Sequence, residues 1–327
     1  MPVVYGPVLS WRFGRSLGID LIIGEKTCTF NCIYCQLGRT AQCVSGPEEL
    51  KEYVRENEVE EELRKYIAEE GLNYIDVVTF SGTGEPTLNP KLGTIARKVK
   101  ELVGDKPIVI LTNSSLFYRR DVRKALLNFD IVVTKLDAGD EKAYRIINRP
   151  CRGKPSIKTI IESIAEFKSE YRGKLMVQSM FLHTNFGFTN CRGKHLAQLV
   201  EAIVKIDPDI VQVDTPYRPG GEKFVIPVSL KELREIGESL GKYFSKDRMW
   251  IFGIHDKRKL AASVRIGDYK ERVSEIIKRR PCRLQDLADM LGVDIKTIQK
   301  VIEELIGEGK ACRIKAQSGE TYYTVKT

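Results

Sequence analysis

The sequence predicts an α/β fold, a partial or full βα barrel of about six units, followed by a small winged helix-turn-helix. Three observations carry that expectation. From Gly18 to about Gly253, short Val- and Ile-rich runs alternate with amphipathic stretches, which is the pattern of parallel βαβ units. The short runs are nearly apolar throughout, as strands covered on both faces are. After roughly Arg265 the alternation stops, and three helix-like stretches lead into two short β-rich ones.

Taken in order, strands are expected at Leu17–Ile23, Ile75–Ser81, Ile108–Thr112, Ile131–Leu136, Leu175–Phe181, Ile210–Asp214 and Met249–Phe252. Helices are expected at Asn57–Glu70, Leu92–Val103, Ser156–Tyr171, His195–Lys205 and Leu230–Phe244, each with its apolar positions on one face. An open doubly wound sheet is the competing topology, which periodicity does not separate from a barrel. Beyond the core, helices are expected at Asp268–Lys278, Leu284–Leu291 and Ile295–Gly307, the last capped by Asp294. Ile298, Val301, Ile302 and Leu305 form its apolar stripe. Strands Ala311–Lys315 and Thr321–Val325 follow, joined around Ser318-Gly319. The expected division is a core over 1–262 and a winged helix-turn-helix over 268–327.

The chain has 327 residues, 42% apolar and 30% charged, which excludes a disordered or collagen-like protein. No apolar run approaches a membrane span. Met1 to Ser10 lacks a basic segment leading into a long apolar one, so no signal peptide is expected and the location expected is cytoplasmic. The formal charge of +9 suits an anionic partner without specifying one. Only +2 of it falls in 268–327, so the larger share lies on the core. Eight cysteines without an export signal are expected to be metal ligands or buried thiols.

The densest chemistry is Cys28-Thr29-Phe30-Asn31-Cys32-Ile33-Tyr34-Cys35. Three thiolates on one tight loop can bind three irons of a 4Fe–4S cluster, which in its fully ligated form takes four cysteines. The fourth iron is then left open to an outside ligand, as a catalytic metal site keeps a free position. The loop follows the first strand, and chemistry in βα folds sits beyond the carboxyl ends of strands. A zinc site or three buried thiols are the alternatives. Cys43, Cys151, Cys191, Cys282 and Cys312 share no ligand-like spacing, so ordinary thiols are expected there, with Cys43 the nearest to the loop.

The cysteine spacing, with Tyr34 before the last cysteine, resembles that of the radical S-adenosylmethionine (SAM) superfamily. Ser81-Gly82-Thr83-Gly84-Glu85-Pro86 ends the second strand and looks like that superfamily's GGEP segment, which holds the SAM amino group. Thr83 is a departure that leaves Gly84-Glu85-Pro86 intact. Thr112-Asn113-Ser114 resembles its TNG-like segment, and Asp137 and Gln178 occupy strand positions from which relatives reach the SAM ribose, its carboxylate or the substrate. The resemblance implies a partial (βα)6 radical SAM barrel, a 4Fe–4S cluster on Cys28, Cys32 and Cys35, and SAM contacts from Tyr34, Gly82, Thr83, Gly84, Glu85, Asn113, Asp137 and Gln178. It implies reductive cleavage of SAM to methionine and a 5′-deoxyadenosyl radical, with a ferredoxin or flavodoxin as reductant.

Tyr5-Gly6-Pro7-Val8, Cys35-Gln36-Leu37-Gly38-Arg39-Thr40 and Thr215-Pro216-Tyr217-Arg218-Pro219 are similar to a group of wyosine-synthase-like Fe–S oxidoreductases. Wyosine synthases themselves, which remodel a tRNA guanosine, carry cysteines before the main motif, and this chain has none before Cys28. The expected substrate is RNA, with tRNA foremost. Modification of a protein or metabolite is the second reading, and an iron–sulfur redox sensor regulating transcription through the winged helix is the third. In the winged helix, Lys296, Thr297 and Lys300 are the candidate phosphate or base contacts, beside the opposing Glu303, Glu304 and Glu308.

Overall fold

A computed structural model describes residues 2–153, 155–258 and 269–325. Strands β1 (Val4–Ser10) and β2 (Gly14–Ile19) form an antiparallel hairpin, followed by two-residue strands β3 (Thr27–Cys28) and β4 (Gln42–Cys43). The repeating part runs α1 (Glu56–Glu70), β5 (Val77–Phe80), α2 (Leu92–Val103), β6 (Ile108–Thr112), α3 (Arg120–Leu126) and β7 (Ile131–Lys135). It continues through α4 (Glu141–Ile147), α5 (Ile157–Glu170), β8 (Lys174–Met180), the short β9 (Leu182–Thr184), α6 (Gly193–Ile206) and β10 (Ile210–Asp214). It closes with β11 (Val225–Pro227), which pairs with β9, then α7 (Leu230–Leu240) and β12 (Met249–Ile251).

The main sheet is ordered β1-β2-β5-β6-β7-β8-β10-β12. Every pairing from β2 to β12 is parallel, so six helical crossovers join seven parallel strands. The sheet curls into a half-barrel whose two edges, β1 and β12, do not pair with each other. This settles the choice of topology that periodicity left open.

Alternation along each strand divides the two faces. Leu17, Ile19, Val78, Phe80, Ile108, Ile110 and Val177 pack into the large core under the helices. Val77, Val109, Val133, Met176 and Ile210 point the other way and plug the inside of the barrel. Two residues further along on the same inner face come Thr79, Leu111, Lys135, Gln178 and, after buried Gln212, Asp214, which line a cavity. Side chains two apart in a strand share a face, so each strand passes from apolar floor to polar wall as it nears its carboxyl end.

The first expected strand is displaced. The sheet takes Gly14–Ile19 rather than Leu17–Ile23, because Leu21 and Ile22 leave it to pack under the cysteine loop. Strand β1 and helices α3 and α4 lie outside the expected elements. Gly6-Pro7 interrupts the pattern of β1, which carries a bulge there, and the two helices are only seven residues long.

In the last described segment, α8 (Tyr269–Arg279), α9 (Leu284–Leu291) and α10 (Ile295–Gly307) precede the antiparallel pair β13 (Cys312–Lys315) and β14 (Thr321–Thr324). The expected boundary at 262–268 lies outside the described residues. Asp294 accepts from Thr297 N at 3.0 Å and caps α10. The helices do not stand apart from the core: Tyr5, Val8 and Leu9 of β1 share one apolar cluster with Val273, Ile277, Leu287 and Met290. An open sheet edge carries unpaired backbone groups and needs a cover, and α8 and α9 supply it here.

Candidate active site

The cysteine loop is held from both sides by backbone. Asn31 N donates to Asn148 O at 3.1 Å, Ile33 N to Ile147 O at 2.9 Å, and Cys151 N to Thr29 O at 3.0 Å. Phe30 is buried edge-on against Tyr144, 5.5 Å between centroids. Helix α4, only two turns long, is therefore the anvil on which the loop is formed. On the other side, Cys28 pairs in register with Cys43 of β4, and Cys43 is disulfide-bonded to Cys151. The expectation of free thiols at Cys43 and Cys151 is thus corrected: their 108-residue separation hid a pair that folding brings together beside the loop. Cys191, Cys282 and Cys312 are free.

Cys28, Cys32 and Cys35 come together around Lys26, whose Nζ donates to Gly38 O at 2.6 Å. Burial alone would lower the Lys26 pKa, but the three cysteines raise it. Burial, then Glu85, pushes the Cys28 thiol up to about 11. Burial, then Asp137, pushes Cys32 up to about 12. Asn113 Nδ2 donates to Cys28 Sγ at 3.4 Å and Asn148 Nδ2 to Cys32 Sγ at 3.5 Å. Such donors stabilise thiolate sulfur and tune the potential of an iron–sulfur centre. Among the described residues, no three His, Cys, Asp or Glu side chains converge as a single-ion site would require. A cluster asks for one thiolate per iron, and three neighbouring sulfurs with amide donors aimed at two of them fit that donor set.

The strand ends form a brace around the loop. Gly84 lies so close to Thr27 that a Cβ there would sit 2.0 Å from the Thr27 carbonyl oxygen, and Glu85 N donates to that same oxygen. At Gly82 a Cβ would meet the Asp20 carboxylate at 2.0 Å. Thr83, the departure from the superfamily pattern, donates to Asp20 through N at 3.0 Å and Oγ1 at 2.9 Å. The Glu85 carboxylate is 2% exposed and accepts from Thr87, Thr112 Oγ1 at 2.7 Å and Asn113 N at 2.7 Å. Burial raises its pKa against the pull of those donors. Its oxygens are engaged within the chain, so Glu85 braces the ends of the second and third parallel strands.

Asp137 is similarly engaged. It accepts from Tyr34 Oη at 2.5 Å, Asn148 Nδ2 at 2.8 Å, Met180 N at 2.8 Å and Lys135 Nζ at 3.2 Å. Gln178 Nε2 donates to Asp214 Oδ2 at 2.7 Å. Of the residues expected at the site, Tyr34, Cys35, Gly82 and Gln178 line a cavity of about 270 Å³ at the carboxyl ends of the strands. Cys28, Cys32, Thr83, Gly84, Glu85, Asn113 and Asp137 form the bonded layer beside it.

The far wall was not foreseen. It consists of Trp11 and Arg12 from the β1–β2 turn, Tyr217 and Arg218 after β10, and Arg279 and Arg280 at the end of α8. Arg279 crosses into the core, where its Nε donates to Asp20 Oδ2 at 2.9 Å and Nη2 to Pro2 O at 2.7 Å. Asp20 had a legible signal, an acidic residue ending the first parallel strand directly before the cysteine loop. Arg279, 259 positions away in the chain, had none.

The half-barrel places the cysteine loop at the carboxyl ends of its parallel strands, where α/β enzymes carry their chemistry. The chain belongs to the radical SAM superfamily, whose family profile matches residues 23–186. It is 30% identical over 323 residues to the UPF0026 protein MJ1312 of Methanocaldococcus jannaschii, covering 99% of this chain and 96% of that protein. A UPF0026 protein of Synechocystis, slr1464, is 39% identical over 218 residues, 67% of this chain and 77% of that one. A solved structure described as native anSMEcpe with bound AdoMet aligns at 17% identity and a TM-score of 0.48, over 72% of this chain and 64% of that one. Membership makes the chain an enzyme that uses SAM and an iron–sulfur centre and draws electrons from an external reductant. No described helix is long and apolar enough to cross a membrane.

Proposed function

We propose that this enzyme modifies RNA in the cavity at the strand ends, with one 4Fe–4S cluster on Cys28, Cys32 and Cys35. The observation that carries the proposal is the meeting of those three thiols beside a cavity whose far wall is rich in arginine. The cluster, when bound, supplies the electron that cleaves SAM to methionine and a 5′-deoxyadenosyl radical able to abstract a substrate hydrogen. The protein's part is positioning. Asn113 and Asn148 hold two of the sulfurs, and the Gly82–Gly84 backbone, tied down by Asp20 and Glu85, presents the surface on which SAM would lie. Tyr34, Gln178 and the Asp137 network order the opposite side. The β1–β2 turn and the end of α8 cover the cavity and limit water, which suppresses side reactions of a radical.

RNA is favoured because cationic side chains face the cavity itself, and because of the resemblance to the wyosine-synthase-like group. The C-terminal helices and hairpin, read as a winged helix-turn-helix, contribute less. Exposed Lys296 and Lys300 on α10 stand beside exposed Glu303 and Glu304. Ferredoxin or flavodoxin is the proposed electron donor. The test is anaerobic: load the cluster, reduce with dithionite, add SAM and quantify 5′-deoxyadenosine, with and without bulk tRNA. Formation that is lost in Cys32→Ala and rises several-fold with tRNA supports the proposal. Stimulation by protein or metabolite fractions, with none by RNA, overturns the substrate assignment.

A further inference from the structure

Arg12, Arg218 and Arg280 differ from the other arginines around the cavity. Arg258 pairs with Asp256, Arg283 with Asp286 and Glu320, and Arg279 with Asp20 and Glu275. Among the described residues, Arg12, Arg218 and Arg280 have no carboxylate partner. Arg12 Nε and Nη1, Arg218 Nε and Arg280 Nε are shut off from solvent without a hydrogen-bond acceptor. The contacts these groups do make leave the charge unmatched: the Arg12 guanidinium lies 5.8 Å from the Trp11 ring centroid, Arg218 lies 4.4 Å from that of Tyr217, and Arg280 Nη1 donates to Leu9 O at 3.3 Å. Asp214, the one carboxylate lining this cavity, already accepts from Gln178 Nε2 and Thr215 N. Asp286, which lines the adjoining groove with Asp289, is taken by Arg283.

The three residues are half-buried, and guanidinium nitrogens shut off from water without an acceptor are costly and persist in a fold only where something repays them. Burial lowers the Arg12 pKa, Asp214 and Tyr217 offset part of that, and Arg218 and Arg280 add smaller downward pushes. Burial also opposes the charge of Arg218, whose pKa is nonetheless held up by Tyr217 and Asp286. Three chain segments far apart in sequence thus converge like charges on one spot. Planar guanidinium forks match the oxygens of a phosphate, and bidentate Arg–phosphate contacts are among the strong charge-assisted pairs.

We propose that Arg12, Arg218 and Arg280 form a phosphate-binding subsite that anchors the substrate across the cavity from the cysteine loop. This deepens the RNA reading and rests on it only for the source of the phosphate. Arg280 and Arg218 also line the adjoining groove between the barrel and α9, so the anchor lies at the junction of the two openings. A nucleic-acid chain entering by the groove would leave one phosphate there and place its neighbouring nucleotide in the cavity.

The test uses the cluster-loaded enzyme and reads binding rather than turnover. Inorganic phosphate, adenosine 5′-monophosphate, a dinucleotide without terminal phosphate, and acetate are titrated by calorimetry. The expected result is binding of the phosphate probes, weakened at least about tenfold in Arg12→Met and in Arg218→Met, with Arg12→Lys intermediate because it keeps charge without the fork. Preference for the dinucleotide assigns a backbone phosphodiester, and preference for the mononucleotide a terminal monoester. Arg12→Met is also expected to melt higher than wild type without ligand and to lose the phosphate-induced rise, as it removes two guanidinium nitrogens shut off from water without an acceptor. Acetate binding as tightly as phosphate, or phosphate binding unmoved by all three substitutions, overturns the subsite. Intact phosphate binding with no tRNA stimulation of SAM cleavage leaves the subsite standing and overturns the RNA reading.

Discussion

Arg279→Met tests whether the C-terminal helices are part of the site or a cover. Arg279 and Asp20 side chains are each 1% exposed, so their 2.9 Å pair lies in a medium with little screening. Removing one partner of such a pair leaves the other charge buried, at a cost of about 3–5 kcal/mol. Methionine keeps most of the volume, so little of this loss comes from a cavity. Asp20 also holds Thr83 by two hydrogen bonds and Ile22 N by a third, at 3.2 Å. The same substitution is therefore expected to weaken SAM binding as the Gly82–Gly84 turn loosens. Urea unfolding followed by linear extrapolation measures the stability change. Adding Asp20→Asn removes the stranded charge, and the two single changes should fall short of additivity by on the order of 1–3 kcal/mol. A loss below about 1 kcal/mol for Arg279→Met, or additivity within about 0.5 kcal/mol, would refute the reasoning.

Other consequences follow from single observations. Ser114 is non-glycine at φ 68° with a buried hydroxyl that finds no partner. Left-handed backbone costs a non-glycine residue roughly 1–2 kcal/mol, so Ser114→Gly should unfold no more easily than wild type in urea, and a loss above about 1 kcal/mol would contradict this. The Cys43–Cys151 bond closes a 108-residue loop, and reductant should lower stability by about 2–4 kcal/mol in wild type and not at all in Cys43→Ser. Equal response of the two proteins would show the bond absent. His255 stacks on Trp250, 4.3 Å between centroids, and burial lowers its pKa below the ordinary 6.5. A depressed base favours the fold above its unfolded pKa, and that contribution is lost as pH falls through the lower folded value. Tryptophan fluorescence should therefore titrate with a midpoint below 6.5, absent in His255→Gln; a midpoint above it would reverse the sign.

Much of the site was legible along the chain because its parts are local. Cys28, Cys32 and Cys35 share one loop, Gly82–Pro86 and Thr112–Ser114 each end one strand, and an apolar run marks each strand in the sheet. Gly84 could be read as glycine for close approach, and the structure supplies the partner, the Thr27 carbonyl. The succession of βα units also follows from alternation, but its closure into a half-barrel rather than an open doubly wound sheet does not.

What alternation does not encode is which distant segments meet. The Cys43–Cys151 pair, the seat of the cysteine loop on α4, and the saturation of Glu85 and Asp137 by their own neighbours are outcomes of packing. The far wall is the clearest case. Arg12, Arg279 and Arg280 look in the sequence like three of 53 basic residues, and Arg218 stands out only as part of the Thr215–Pro219 resemblance. Arg279 alone of the four finds buried carboxylates, while the others are left facing a cavity. The sequence by itself carried the proposed reactive centre, because the three cysteines proposed as its ligands are neighbours on one loop. Tertiary structure decided the arginine wall of the cavity, because burial and the presence or absence of a counter-charge exist only once strand β1, the end of β10 and helix α8 are brought together.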